Sequence, residues 1–143
     1  MEATARQISY RGPAWYQEWY FRAALQREMR SADETGLDLS LLVLSLPVCS
    51  RPASHALFEF AEGLERWFVF GLLANGDFAI ALPGLGYERA AAIRHDLLHR
   101  LQEHRPTVTL AVYDGEVTAQ QLIQSASTDS RPSANVIPFV RKR

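Results

Sequence analysis

Apolar residues recur along this chain in two rhythms, and each change of rhythm marks an element. From Leu39 to Leu46 they run almost without interruption, with Gly36 before the run and Pro47 after it, which is how a strand buried on both faces reads. Ahead of it, Phe21, Ala24, Leu25 and Met29 recur at helical spacing and would turn one stripe of a first helix toward a sheet. Farther on, Ala90, Ile93, Leu97, Leu98 and Leu101 share one face of Tyr87 to His104 while Arg94, Asp96, Arg100 and Glu103 take the others, so an amphipathic helix is expected there. Pro106 stops it before a strand at Val108 to Val112. Between these elements, two apolar runs flank Asn75-Gly76, a dipeptide that favours a two-residue type I′ turn with positive φ at both positions. The order helix, strand, helix, hairpin, helix, strand, helix predicts a layered α/β (α+β) domain with helices packed on a sheet of four or five strands.

Composition narrows the class. The 143 residues are 48% hydrophobic, enough for one domain with a sizeable core. A flexible tail is expected over residues 128–143. In that tail Thr128 to Asn135 is rich in Ser, Asp, Pro and small residues, and Val136 to Val140 reads as a short edge strand, the one place where Pro138 is tolerated. A formal charge of −1 argues against a general nucleic-acid binder. The single cysteine, Cys49, rules out an internal disulfide framework and fits a reducing compartment. No apolar run approaches a membrane span and no leader pattern opens the chain, so no membrane association and a cytoplasmic location are expected.

Leu72 to Gly84, Leu-Leu-Ala-Asn-Gly-Asp-Phe-Ala-Ile-Ala-Leu-Pro-Gly, resembles the core of GGDEF domains, the diguanylate cyclases. There Gly-Gly-Asp-Glu-Phe forms a hairpin turn followed by an Ala-Ile-hydrophobic-Leu-Pro-Gly strand end. Four further matches occur in the family's order: the helix Phe21 to Met29 with Thr35-Gly36, the strand at Leu39, the strand Val108-Thr109-Leu110-Ala111-Val112, and the helix start Thr118-Ala119-Gln120-Gln121-Leu122-Ile123. The resemblance covers residues 14–127, after a lead of residues 1–13, and implies a GGDEF-like, ferredoxin-like palm with a mostly antiparallel central sheet.

It also implies a degenerate motif. Aligned on Phe78, Ala74 and Asn75 stand where the two glycines would be, Gly76 where the metal-binding acid would be, and Asp77 where the glutamate would be. The family's Asp-hydrophobic-Asp at the end of the first strand reads Ser45-Leu46-Pro47 here. Ser45, Pro47 and Gly76 are thus lost metal positions, and Asp77 alone leaves Mg²⁺ one protein carboxylate. The base-reading loop shrinks to Val48 to Ser54 ahead of a helix beginning near Ala56. Gln17 stands near the Asn of the family's Asn-Arg-Arg element, with Glu18 and Trp19 in place of the arginines. Glu65 to Phe68 replaces the Arg-x-x-Asp product site. From these substitutions the sequence predicts a chain that is not an enzyme, needs no metal or cofactor, and acts in bacterial cyclic di-GMP signalling by protein contact, as a homodimer or through a partner. The alternative is a non-catalytic nucleotide sensor for GTP or cyclic di-GMP using Arg51, Asn75 and Asp77.

Other residue patterns are weighed against plainer readings. His95 and His99 lie at the i, i+4 spacing of a zinc site but read as surface histidines, since Asp96 stands where a zincin has Glu. Cys49 with His55 has no orienting acid for nucleophilic catalysis. Arg141-Lys142-Arg143 reads as a solvated tail. The candidate interface is Trp15, Tyr16, Trp19, Tyr20 and Arg22 at the front of the first helix, since Trp, Tyr and Arg are favoured at contact hot spots. The opposing reading has Val136 to Val140 folded back over the same rings.

Overall fold

A computed structural model describes residues 13–128. The elements are β1 (Trp15–Gln17), α1 (Glu18–Thr35), β2 (Leu39–Ser45), α2 (Arg51–Glu62), β3 (Val69–Leu72), β4 (Phe78–Pro83), α3 (Tyr87–Arg100), β5 (Thr107–Val112) and α4 (Ala119–Thr128). The five strands form one sheet in the order β1-β3-β4-β2-β5. Every pairing is antiparallel except that of β1 with β3. The expected mostly antiparallel sheet with helices on it is the architecture found.

Side-chain alternation along β2 divides the core. Leu39, Leu41 and Val43 meet Phe21, Leu25 and Met29 of α1 and Leu122 and Ile123 of α4. Leu42 and Leu44 face the other way, toward Leu57 of α2 and Leu97 of α3. The two polar side chains that sit among them are both satisfied, as most buried polar groups are: Ser40 Oγ donates to the Leu85 carbonyl at 2.8 Å and Thr109 Oγ1 to the Ala126 carbonyl at 2.8 Å.

Local chemistry sets the helix ends. Gly36 closes α1 at φ +77°, its N–H donating to the Ala32 carbonyl, a left-handed stop that suits glycine. Thr118 and Gln121 form a reciprocal capping box at α4, Gln121 N–H donating to Thr118 Oγ1 at 3.1 Å and Thr118 N–H to Gln121 Oε1 at 2.9 Å, which satisfies two otherwise orphaned donors. At the far end of α1, the Tyr113 hydroxyl donates to both carboxylate oxygens of Asp33 at 3.1 Å. Burial, then the bond to Asp33 and the charges of Asp33 and Asp114, push that phenol above its ordinary value.

Three expectations are corrected. Trp15 to Gln17 is a strand, not the front of the first helix, because Trp15 is held on the sheet by Phe58, Phe70 and Phe78, at ring centroid distances of 5.5, 5.1 and 5.4 Å. Helix α2 starts at Arg51 rather than near Ala56, since Ser50 Oγ accepts the Ala53 N–H at 3.2 Å and Pro52 lies in the first turn, both favourable helix starts. Helix α3 ends at Arg100, and a single 3₁₀ turn at Gln102–His104 carries the chain toward Pro106. Val136 to Val140 and Arg141 to Arg143 lie outside the described residues. No helix among the described residues is long and apolar enough to cross a membrane.

Helix α1 comes close to the sheet at Gly71 of β3, where an added Cβ would meet ring carbons of Phe21 at 2.5 Å. Phe21 is fully buried and has no free side on which to move. Gly71→Ala is therefore expected to destabilise the fold by about 1–3 kcal/mol, the usual cost of overpacking, read as a lowered urea midpoint at unchanged slope.

Candidate functional site

One end of the sheet gathers the residues singled out by the sequence. Ser45 closes β2 opposite Thr107 of β5, and its neighbour Leu44 lies opposite Phe78, where β4 leaves the hairpin. The hairpin tip, the β2–α2 connection and the start of α1 therefore share this end.

The tip differs from the expected two-residue turn. Gly76 lies at φ +94°, but Arg105 is the one described non-glycine residue with positive φ, so Asn75 is not left-handed. Gly76 N–H donates to the Leu73 carbonyl at 2.9 Å and Leu73 N–H to the Asp77 carbonyl at 2.8 Å. Ala74, Asn75 and Gly76 thus form a three-residue loop, a tight turn ending in a left-handed glycine. The Asn75 side chain fixes it, Oδ1 accepting the Asp77 N–H at 2.9 Å and Nδ2 donating to the Asp77 carboxylate at 3.2 Å.

Glu18 adds a contact that sequence reading missed. Its Oε1 accepts the Ala74 N–H at 2.8 Å, while Oε2 lies 3.7 Å from the Arg22 guanidinium one helical turn on. Asp77 and Glu18 give the tip two carboxylates, and the N–H groups of Ala74, Gly76 and Asp77 are each already matched to an acceptor in the chain. Nothing local in the sequence announces the bond, because its partners lie 56 positions apart. Among the described residues no three His, Cys, Asp or Glu side chains are grouped to hold a metal ion.

The remaining candidates are dispersed. Ser45 is half-buried, while Pro47 and Gly76 are exposed. Arg51 belongs to the first turn of α2, not to a loop. Cys49 is exposed with Sγ 3.5 Å from Ser54 Oγ, whereas His55 Nε2 lies 3.1 Å from the Glu59 carboxylate on its own helix. His95 and His99 are exposed on α3. Glu65, Trp67 and Phe68 line an open cavity of about 270 Å³ with Leu85, Arg89 and Ile93.

The aromatic group proposed as an interface splits in two. Trp15 points into the core beside Phe58, Phe70 and Phe78, and its indole N–H is buried without an acceptor among the described residues. Tyr16, Trp19 and Tyr20 remain outside as a ring stack, with centroids 4.4 Å apart for Tyr16–Tyr20 and 5.6 Å for Trp19–Tyr20. Trp19 is 66% exposed, yet it is oriented by its indole N–H donating to Gln17 Oε1 at 3.1 Å. Arg22 is half-buried and turned to Glu18.

No family model matches the chain, and no curated protein matches it. Solved structures do. The GGDEF domain of PA1120 (YfiN or TpbB) from Pseudomonas aeruginosa superposes with a TM-score of 0.67 at 17% identity, over 82% of this chain and 88% of that one. The GGDEF domain of DgcB from Caulobacter crescentus, solved in complex with c-di-GMP, gives 0.68 at 12% identity over 82% of each chain. The chain has a GGDEF-like fold. The diguanylate cyclase SiaD from P. aeruginosa, solved in complex with its activator SiaC, is similar at a TM-score of 0.64 and 13% identity, over 88% of this chain and 55% of that one.

This likeness corrects the expectation of a non-enzyme. The GGDEF-like fold is one that diguanylate cyclases use, and at 12–17% identity the residues aligned at Ser45, Pro47 and Gly76 carry no claim of lost activity. In this GGDEF-like domain the bond from Ala74 to Glu18 joins the tip to α1. Glu18→Ala is expected to cost about 1 kcal/mol, the typical net worth of one hydrogen bond, and to speed amide exchange at Ala74. Unchanged exchange at that amide would show that the bond holds nothing in place.

Proposed function

We propose that this GGDEF-like domain serves bacterial cyclic di-GMP signalling by protein contact through Tyr16, Trp19 and Tyr20, as a homodimer or with a separate partner. The observation that carries the reading is an indole that is at once ordered and 66% exposed. Large rings held in one orientation lose little freedom on binding and bring much apolar area with them, which is why Trp and Tyr dominate interface hot spots. Leu72, the last residue of β3 and the partner of Gln17 in the sheet, is also exposed. The similarity to SiaD, a cyclase solved with its activator protein, supports contact with a protein as a working mode for the fold.

A second reading, binding of GTP or cyclic di-GMP at the hairpin end by Arg51, Asn75 and Asp77, is supported by the likeness to DgcB solved with c-di-GMP. The tip itself opposes it: three backbone donors that would meet a phosphate are already bonded, one of them to the Glu18 carboxylate.

The test is paired. Sedimentation and partner capture with wild type and Trp19→Ala should show association weakened by about 30-fold in the variant, as for a hot spot of about 2 kcal/mol. Calorimetric titration with GTP and cyclic di-GMP in Mg²⁺, with GTP turnover followed alongside, tests the second reading. Association indifferent to Trp19, with micromolar nucleotide binding lost in Asp77→Ala, would replace the first reading by the second.

A further inference from the structure

We propose that Asn75 and Gly76 at the hairpin tip form a self-modification site. Asn75 converts to aspartate or isoaspartate by attack of the Gly76 nitrogen, the folded tip holds the reaction back, and conversion frees the tip from α1. This stands independently of the contact surface proposed above.

The residue types carry the chemistry. Asparagine is among the chemically labile side chains, and Asn75 is followed directly by glycine, whose missing Cβ leaves its nitrogen unhindered and the chain free to turn. The Gly76 nitrogen gives its proton to water and bonds to Asn75 Cγ. The bond from Cγ to Nδ2 breaks, and the nitrogen leaves as ammonia with a proton from water, which closes a five-membered imide. Water then opens the imide at one of its two carbonyls, to aspartate or to isoaspartate. The net change is one water in and one ammonia out, with no oxidation or reduction.

The site is open on its outside and restrained by bonding. Ala74, Asn75 and Gly76 are all exposed, and beyond the chain neighbours nothing lies within 4 Å of a Cβ added at Gly76, so water has access. Gly76 N–H, however, donates to the Leu73 carbonyl at 2.9 Å, and the nitrogen cannot lose its proton until that bond opens. The Asn75 amide is gripped by Asp77 at both atoms, Oδ1 accepting the backbone N–H at 2.9 Å and Nδ2 donating to the carboxylate at 3.2 Å. In the same loop, Ala74 N–H donates to Glu18 Oε1 at 2.8 Å. Opening the tip far enough for attack therefore works against the bond to α1, and α1 sets how fast Asn75 is consumed.

Neither product can keep the tip closed. Nδ2 is the donor that meets the Asp77 carboxylate, and an aspartate in its place sets two like charges against each other. Isoaspartate lengthens the backbone of a three-residue turn by one atom. Either change loosens the loop that Glu18 holds, and it runs in one direction.

Peptide mapping by mass spectrometry of the full chain, incubated at mildly alkaline pH, tests this. The peptide containing Asn75 should gain one mass unit, in aspartate and isoaspartate forms, about 30-fold more slowly in the native chain than in urea, as two hydrogen bonds at Gly76 and Ala74 would impose. Glu18→Ala should speed the native reaction about fivefold, the effect of one such bond, and leave the rate in urea unchanged. Glu18→Gln keeps an acceptor oxygen for the Ala74 N–H and should restore the wild-type rate, which separates the bond from a general loss of stability. Asn75→Asp should fold and show faster amide exchange at Ala74 and Gly76. A native chain that stays unconverted while the unfolded chain reacts would overturn the site, and equal rates in both states would overturn the restraint. A native rate indifferent to Glu18→Ala would remove the control by α1, and unchanged exchange in Asn75→Asp would remove the release of the tip.

Discussion

A strand with Leu39, Leu41 and Val43 against one pair of helices and Leu42 and Leu44 against another can only lie inside a sheet that is covered on both sides. Everything else is arranged around that demand. Helices α1 and α4 cover one face, α2 and α3 the other, and the polar groups caught between the layers, Ser40 and Thr109, are bonded to carbonyls outside the ladder. With both faces of the sheet closed, what remains open is its ends and its edges. The hairpin tip lies at one end, and the aromatic stack lies beside the β1 edge.

The parts of the fold governed by periodicity were legible in the sequence. β2 announced itself by a nearly unbroken apolar run, and α1 and α3 by stripes that pack on the core. β1 was not legible because three residues carry no period, and what makes Trp15 a strand residue is contact with Phe58, Phe70 and Phe78, all far along the chain. The hairpin was placed correctly, but its turn was misjudged. Asn-Gly serves either a left-handed pair or a right-handed Asn before a left-handed Gly, and the Asn75 bonds to Asp77 decide for the second. The start of α2 is written in Ser50 and Pro52, a cap and a first-turn proline, rather than in the apolar positions that follow them.

The candidate site was legible as a set of positions and not as a set of bonds. Aligned on Phe78, the tip could be located, and Tyr16, Trp19 and Tyr20 could be singled out by residue type. That Trp15 faces inward, that Glu18 reaches the tip, and that Arg51 starts a helix depend on long-range packing. Fold and activity also separate here: the likeness to cyclases establishes the architecture, whereas activity belongs to particular side chains and their placement.

One junction has mechanical meaning. Gln17 is both the last residue of β1 and the cap of α1, with φ −65° and ψ 159°, so no connecting residue separates strand from helix. With Trp15 held among Phe58, Phe70 and Phe78 and Phe21 buried on the sheet two residues after Trp19, the exposed indole is carried on backbone that is anchored on both sides, so Trp19 is presented from a fixed mount.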